Sequence, residues 1–370
     1  MWRARAARIR LTRSRASIAS PQGQASERLG TVRRRQRSPF REDAMDRRCF
    51  VVGSAASAAA LSLSPSWAQE AYPSRPVTFV NPFPPGGAVD VVARPLAAVL
   101  EPIVKQPVVI ETKAGAAGQV GAQYAANARP DGYTLLMHIT SISGFAEVDK
   151  LFGRAPKFTR ADFIPVARFI ADPMLIVVND QQPYKTLKEF VDDAKKRPNG
   201  IVMSSSGLYG ALHLPMALFN KAAGIELRHL PTAGGGPALT ALLGNNSQVL
   251  CSSIAAASGQ LKAGKLRALA SFGGRRAPAL PDVPTLKELG YDVEFYLWVG
   301  LFAPKGTPDA MIAAWREFSR KAAAAEAFKK AMGNVGQDVA YLDQPEFKAF
   351  WDADAQRVEA AVQAIGRVQG

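Results

Sequence analysis

The 370-residue chain has only two cysteines and three histidines, and aromatic residues make up 8% of it. Cys49 lies in a leader-like stretch, so Cys251 stands alone in the rest of the chain and no intrachain disulfide can form there. Stability then has to come from an apolar core, which a chain of this length can build. His138, His213 and His229 are nowhere paired at metal-site spacing, and neither a metal nor a cofactor is expected. There is no Gly-Lys-Ser/Thr phosphate loop, no Gly-x-Gly-x-x-Gly opening the first helix and no Gly-x-Ser-x-Gly elbow. Apolar runs stay short of the roughly 20 residues of a spanning helix. No solenoid-type repeat is visible.

What is present is a globular profile, with 48% hydrophobic and 21% charged residues, 30 Gly and 26 Pro. The net charge of +15 points first to a polyanion, but its distribution argues against nucleic acid. Residues 1–44 hold 12 Arg against Glu27, Glu42 and Asp43, and everything after residue 68 carries only +5. The first 44 residues read as a basic, solvated, disordered extension. Met45 is the better initiator, which would place that extension upstream of the true start.

From Met45, Arg47-Arg48-Cys49-Phe50 gives a twin-arginine pair, and a short small-residue and apolar stretch runs from Gly53 to Leu63. Ser66-Trp67-Ala68 then supplies the small residues of a cleavage site. The order over 45–68 is that of a twin-arginine export signal, which predicts a periplasmic protein. A transit peptide is the weaker alternative.

Beyond it, β-branched runs alternate with helical stretches. Strands are expected at Val77–Val80, Val108–Glu111 and Thr134–Met137. A helix starting at Val89 repeats apolar residues through Leu100 on one face, and a second lies near Gln119–Asn127. This βαβαβ order predicts a parallel sheet covered on both faces. A second series is expected after Asp172-Pro173. Its strands are Met174–Val178, Ile201–Ser204, Leu227–Leu230, Gln248–Cys251 and Leu266–Phe272. Its helices are Thr186–Arg197, Ala211–Ala223, Pro237–Leu243 and Ile254–Ala263, and Thr186 with Glu189 matches a capping box. The tail from Pro308 to Val368 is mostly helical.

In open α/β sheets ligands bind beyond the carboxyl ends of strands. Four loops there are rich in Gly, Ser and Thr: Asn81–Ala88, Ala114–Gly121, Ser204–Gly210 and Thr232–Gly236. Each precedes a helix whose first-turn N–H groups attract an anion, and glycine lets that anion approach the main chain. Two such lobes predict capture of a small organic anion between them. A serine hydrolase is the alternative, with Ser205 or Ser206 as nucleophile and His213 as the sole candidate base. Trp298 lies in a run expected to cross back between lobes, as core packing or as an aromatic wall of the cleft.

Several stretches carry a resemblance. They include Tyr72-Pro73-Ser74-Arg75-Pro76, Pro82-Phe83-Pro84-Pro85-Gly86-Gly87 with Asp90 and Arg94, and Ala114-Gly115-Ala116-Ala117-Gly118. Others are Pro130-Asp131-Gly132-Tyr133, Ser205-Ser206-Gly207 with His213-Leu214, Lys262–Ala270, Pro278–Thr285 and Ala303-Pro304-Lys305-Gly306-Thr307-Pro308. From Tyr72 to the C-terminus the chain resembles the solute receptors of tripartite tricarboxylate transporters, the Bug family. The resemblance implies an α/β type II periplasmic-binding-protein fold, with two lobes, a central cleft and a hinge crossed twice. The crossings are expected near Arg168–Pro173 and Asp292–Trp298. Lobe 1 would comprise 69–171 and 293–370, and lobe 2 would comprise 172–292. It further implies a monomer that captures a small carboxylate, performs no catalysis, and passes its ligand to membrane transporter subunits or a sensor kinase. Its ligand contacts would be Phe83, Pro85, Gly86, Gly87, Ala117, Gly118, Ser205, Ser206, Gly207, Gly234 and Gly235, and Thr140 and Trp298 complete the expected site.

The chain departs from the family pattern at Val89, Thr232-Ala233-Gly234, Ala241 and Leu250, each standing where a more polar residue is usual. These departures imply a less polar or larger ligand than a plain dicarboxylate.

Overall fold

The computed structural model describes residues 72–368, so the stretches read as a basic extension and as an export signal lie outside the described residues. Within that span the strands are β1 Val77–Asn81, β2 Val108–Thr112, β3 Thr134–Ile139, β4 Phe163–Asn179, β5 Val202–Ser205, β6 Arg228–Pro231, β7 Val249–Ser253, β8 Leu266–Ser271 and β9 Tyr296–Pro304. The helices are α1 Ala88–Val104, α2 Gln119–Ala126, α3 Phe145–Leu151, α4 Leu187–Lys196, α5 Leu214–Ala223, α6 Gly235–Leu243, α7 Ile254–Lys262, α8 Asp309–Ala324, α9 Glu326–Asn334 and α10 Gln344–Ile365.

The strands run in the order β2-β1-β3-β9-β4-β7-β5-β6, with β8 also pairing β4. The expected all-parallel arrangement holds only for β2-β1-β3 and for β7-β5-β6. Pairs β3/β9, β9/β4, β4/β7 and β4/β8 are antiparallel, which makes the sheet mixed. The reason is β4. Asp172-Pro173 does not open a second series; it lies inside one 17-residue strand. Beside it runs β9, in the register Ala171 to Trp298, Asp172 to Leu297 and Pro173 to Tyr296. The two stretches expected to cross between halves are therefore hydrogen-bonded neighbours, and both halves hang from one antiparallel ribbon.

Local signals explain most elements. α1 buries Val89, Val92, Ala93, Leu96, Ala97 and Leu100, the apolar stripe that a period of 3.6 residues predicts. Thr186 accepts from the Glu189 N–H at 3.2 Å while the Glu189 carboxylate accepts from the Thr186 N–H at 3.2 Å, which closes the capping box. α5 begins at Leu214 rather than Ala211, with Pro215 in its first turn. Cys251 is fully buried on β7, and burial pushes its thiol well above the ordinary range.

Two features mark the ribbon. Asp172 is half-buried with Oδ2 unpartnered. Burial, then the nearby Asp338, pushes its carboxyl up to about 7 against the pull of Arg168. Arg168 itself donates Nε–H to the Ala340 carbonyl at 3.1 Å and stacks over Phe350. Near the C-terminus, α10 packs on both α3 and α5. The Tyr209 hydroxyl donates to the Gly366 carbonyl (2.7 Å) and accepts from the Val368 N–H (2.8 Å), tying the chain end to the second half.

Candidate functional site

The loops that follow β1 and β2 meet those that follow β5 and β6. A Cβ added to Gly87 would lie 3.7 Å from the Gly236 nitrogen and 3.8 Å from that of Gly235. A Cβ on Gly236 would lie 2.4 Å from the Pro85 carbonyl oxygen, and one on Gly234 would lie 2.7 Å from Pro84 Cδ. Side chains are thus excluded where the two main chains touch. Gly87 and Gly234 are the N-caps of α1 and α6, and neither has a side-chain cap. Two helix N-termini, each with unpaired N–H groups and a partial positive charge, confront one another. Asp90, nearly buried, accepts from the Gly86 N–H (3.1 Å) and pairs with Arg94 (2.9 Å), which fixes the first turn.

The second meeting point joins Ala117 and Gly207, where an added Cβ on Gly207 would be 3.1 Å from Ala117 Cβ. From Gly115 to Gly118 every φ is positive (147°, 46°, 56° and 105°), and the two alanines hold this left-handed path against their intrinsic preference. Gly118 packs on Phe83 and His138: a Cβ there would lie 2.8 Å from Phe83 Cζ and 2.9 Å from His138 Nε2.

Of the expected contacts, Phe83, Pro85, Gly86, Gly87, Ala117, Gly118, Gly207, Gly234 and Gly235 are gathered at these two meeting points. Ser206 sits beside the second, its Oγ buried and unpartnered and only 2.7 Å from a Cβ added to Gly210. Ser205 is fully buried, and its Oγ lies 2.7 Å from His229 Nε2 while accepting from the Gly207 N–H at 3.2 Å. The histidine on Ser205 is therefore His229 and not His213, because β5 and β6 run in parallel with Met203 opposite His229. His213 instead stacks on His229 at 4.5 Å and accepts from the Tyr209 N–H. Burial, then His229, lowers His213 to about 3, and burial lowers His229 as well. His229 Nδ1 is buried with no partner, so no carboxylate orients this pair as a catalytic triad requires.

Thr140 and Trp298 are committed elsewhere. The Thr140 hydroxyl donates to the Tyr296 carbonyl (3.1 Å) and accepts from the Trp298 N–H (3.2 Å), which anchors the start of β9. Trp298 is 0% exposed, packs on Phe302, Phe347 and Phe350, and donates Nε1–H to Asp354 at 2.9 Å. It is a core residue, not a wall of the cleft. Burial raises the Asp354 carboxyl, opposed by that indole and by Ser143. Val89 and Leu250 lie within the apolar core, so those two departures from the family pattern say nothing about the cleft lining, whereas Thr232 does line a cavity there.

Sequence reasoning missed two residues. Asn81 ends β1 fully buried, its Oδ1 accepting from the Phe83 N–H (3.1 Å) and its Nδ2 left unpartnered. His138, also fully buried near the end of β3, accepts from the Ile139 N–H at Nδ1 (2.8 Å) and packs edge-on against Phe83. Burial lowers it to about 4, so its ring is neutral at physiological pH. Both sit at or next to the carboxyl end of a strand, the signal that drew attention to the loops.

Known proteins show the same frame. Residues 92–367 match the model of the tripartite tricarboxylate transporter family receptor. Protein BugT of Bordetella pertussis is 32% identical over 299 residues, covering 80% of this chain and 91% of its own. The structure of periplasmic binding protein BugD superposes with a TM-score of 0.75 at 30% identity, covering 80% of this chain and 99% of that one. MatC from Rhodopseudomonas palustris, solved with bound malate, gives a TM-score of 0.73 at 29% identity, over 79% of this chain and all of that one. The fold is therefore that of the two-lobed periplasmic binding proteins, and the chain belongs to the tripartite tricarboxylate transporter receptor family as a solute-binding receptor.

Proposed function

We propose that the protein captures a small carboxylate, or a related organic anion, in the periplasm and holds it without breaking a bond. The observation that carries this reading is the head-to-head meeting of two uncapped helix N-termini, Gly87 with Gly235 and Gly236, with the unpartnered Asn81 Nδ2 and Ser206 Oγ buried on the loops around it. Two like partial charges brought together repel, and an anion held beside both ends is attracted by each and offsets that repulsion. The lobes, 69–171 with 293–370 and 172–292, would close over the ligand through the β4–β9 ribbon, and the closed form gains only what the ligand adds there. That MatC holds malate supports an organic acid as the guest. The chain would act as a monomer that delivers its ligand to membrane transporter subunits or to a sensor kinase, after export by the twin-arginine signal at 45–68.

A thermal-shift panel of organic acids on the full chain tests the reading. An acid at 100 times its Kd adds about 2.7 kcal/mol to stability and raises Tm accordingly. Failure of every acid to raise Tm, or turnover of ester substrates dependent on Ser205, would overturn it.

A further inference from the structure

A cavity of about 910 Å³ opens where Ala116 and Ala117 of the first half face Gly207, Tyr209 and Thr232 of the second. That is near the top of the roughly 300–1,000 Å³ range of small-molecule sites, and far more than a four-carbon diacid fills. Its outer wall is cationic. Arg154, Lys157 and Arg367 line it, all exposed, against one carboxylate, Asp149. Asp149 is already bonded to Arg154 at 3.0 Å. Arg367 donates Nε–H to the Leu151 carbonyl (2.8 Å) and, like Lys157, has no carboxylate partner among the described residues. The guanidinium groups of Arg154 and Arg367 both lie against the ring of Phe152, at 5.2 and 5.8 Å from its centroid. Phe152 in turn meets Tyr209 of the second half edge-on at 5.9 Å. The surplus positive charge is thus held at the place where the two halves touch, next to the loops of the binding site. A nearby anion would be drawn there by Coulomb attraction weakened, but not abolished, by solvent.

We propose that this cavity is a distal anion subsite, so that the receptor selects elongated organic acids whose second acidic group reaches Lys157, Arg367 and Arg154. The inference rests on the carboxylate reading above, in which the first acidic group sits at the paired helix ends. Chain length is then selected by the gap between the two positions, and a short diacid satisfies only one of them. Aliphatic or aromatic character in the middle of the ligand is tolerated by the apolar atoms of Ala117, Val148, Leu208 and Phe152.

Calorimetric titration of the full chain with succinate, adipate, suberate and octanoate tests this at low and high salt. Suberate or adipate is expected to bind at least tenfold more tightly than succinate, and suberate at least tenfold more tightly than octanoate. Added salt should erode the advantage of suberate over octanoate. The exposed substitution K157Q should remove most of that advantage while leaving octanoate binding and Tm unchanged, and R367Q, which also frees the Leu151 carbonyl, should remove it with octanoate binding unchanged. Equal affinity for suberate and octanoate, or succinate as the best ligand, overturns the distal subsite and leaves the receptor reading standing. Binding of none of the four acids overturns the carboxylate reading and this inference with it.

Discussion

Substituting Asp172 by Asn should make the protein more stable in alkaline solution and change the shape of its pH profile. Asp172 is half-buried on the ribbon that joins the halves, with Oδ2 unpartnered and Asp338 close by. Its carboxyl stands at about 7 against an ordinary value of 3.8. The folded state therefore holds this proton more tightly than the unfolded chain does. The contribution is fully present below the unfolded value and is lost as pH rises through about 7. At about 1.4 kcal/mol per unit, the loss at pH 8.5 is up to about 4 kcal/mol, and about 2 kcal/mol if water reaches the group. For a chain of this size that is of order 4–8 °C in Tm. Thermal denaturation of wild type and D172N at half-unit steps from pH 5 to 8.5 measures it directly. The two curves should diverge as pH rises, with D172N the more stable at the alkaline end. D338N should give a smaller gain of the same sign, because removing that charge lets Asp172 ionise more easily. Parallel curves for wild type and D172N across the whole range would refute the reasoning.

Gly236→Ala should weaken binding of any acid the receptor accepts by at least tenfold, since its Cβ would meet the Pro85 carbonyl at 2.4 Å and hold the loops apart; calorimetry checks it, with unchanged circular dichroism showing that the fold survives. Trp298→Phe removes one of the two donors on the buried Asp354 and should cost about 1.5–3 kcal/mol in urea denaturation, with no change in ligand preference. Thr186→Ala opens the capping box of α4 and should cost about 1 kcal/mol in the same assay.

The elements built from local signals were legible in the sequence. α1 announced itself by its apolar stripe and α4 by Thr186 and Glu189, and the glycine loops stood at strand ends as expected. What the sequence hid depends on partners distant along the chain. Asp172-Pro173 reads as a break, yet β9, more than a hundred residues later, pairs with β4 right through it to Pro173, and β7 and β8 take over from there. The meeting of Ser205 with His229 follows from the register of two parallel strands, which spacing alone does not disclose. Trp298 was open to two readings because an aromatic residue in an apolar run suits a core and a cleft equally; its bond to Asp354 decides for the core. The left-handed path through Ala116 and Ala117 had no signature at all, since alanine carries no preference for it.

The sequestered sulfur of Cys251 has a practical corollary. It is the lone thiol among the described residues, enclosed by its neighbours and held in its unreactive protonated form. Thiol-reactive dyes should therefore pass it by, and on a chain that begins after Cys49 they should couple only to cysteines introduced by design. A pair of fluorophores placed on exposed positions of the two halves, Lys150 and Lys188 for instance, would convert lobe movement into an optical readout without first replacing Cys251.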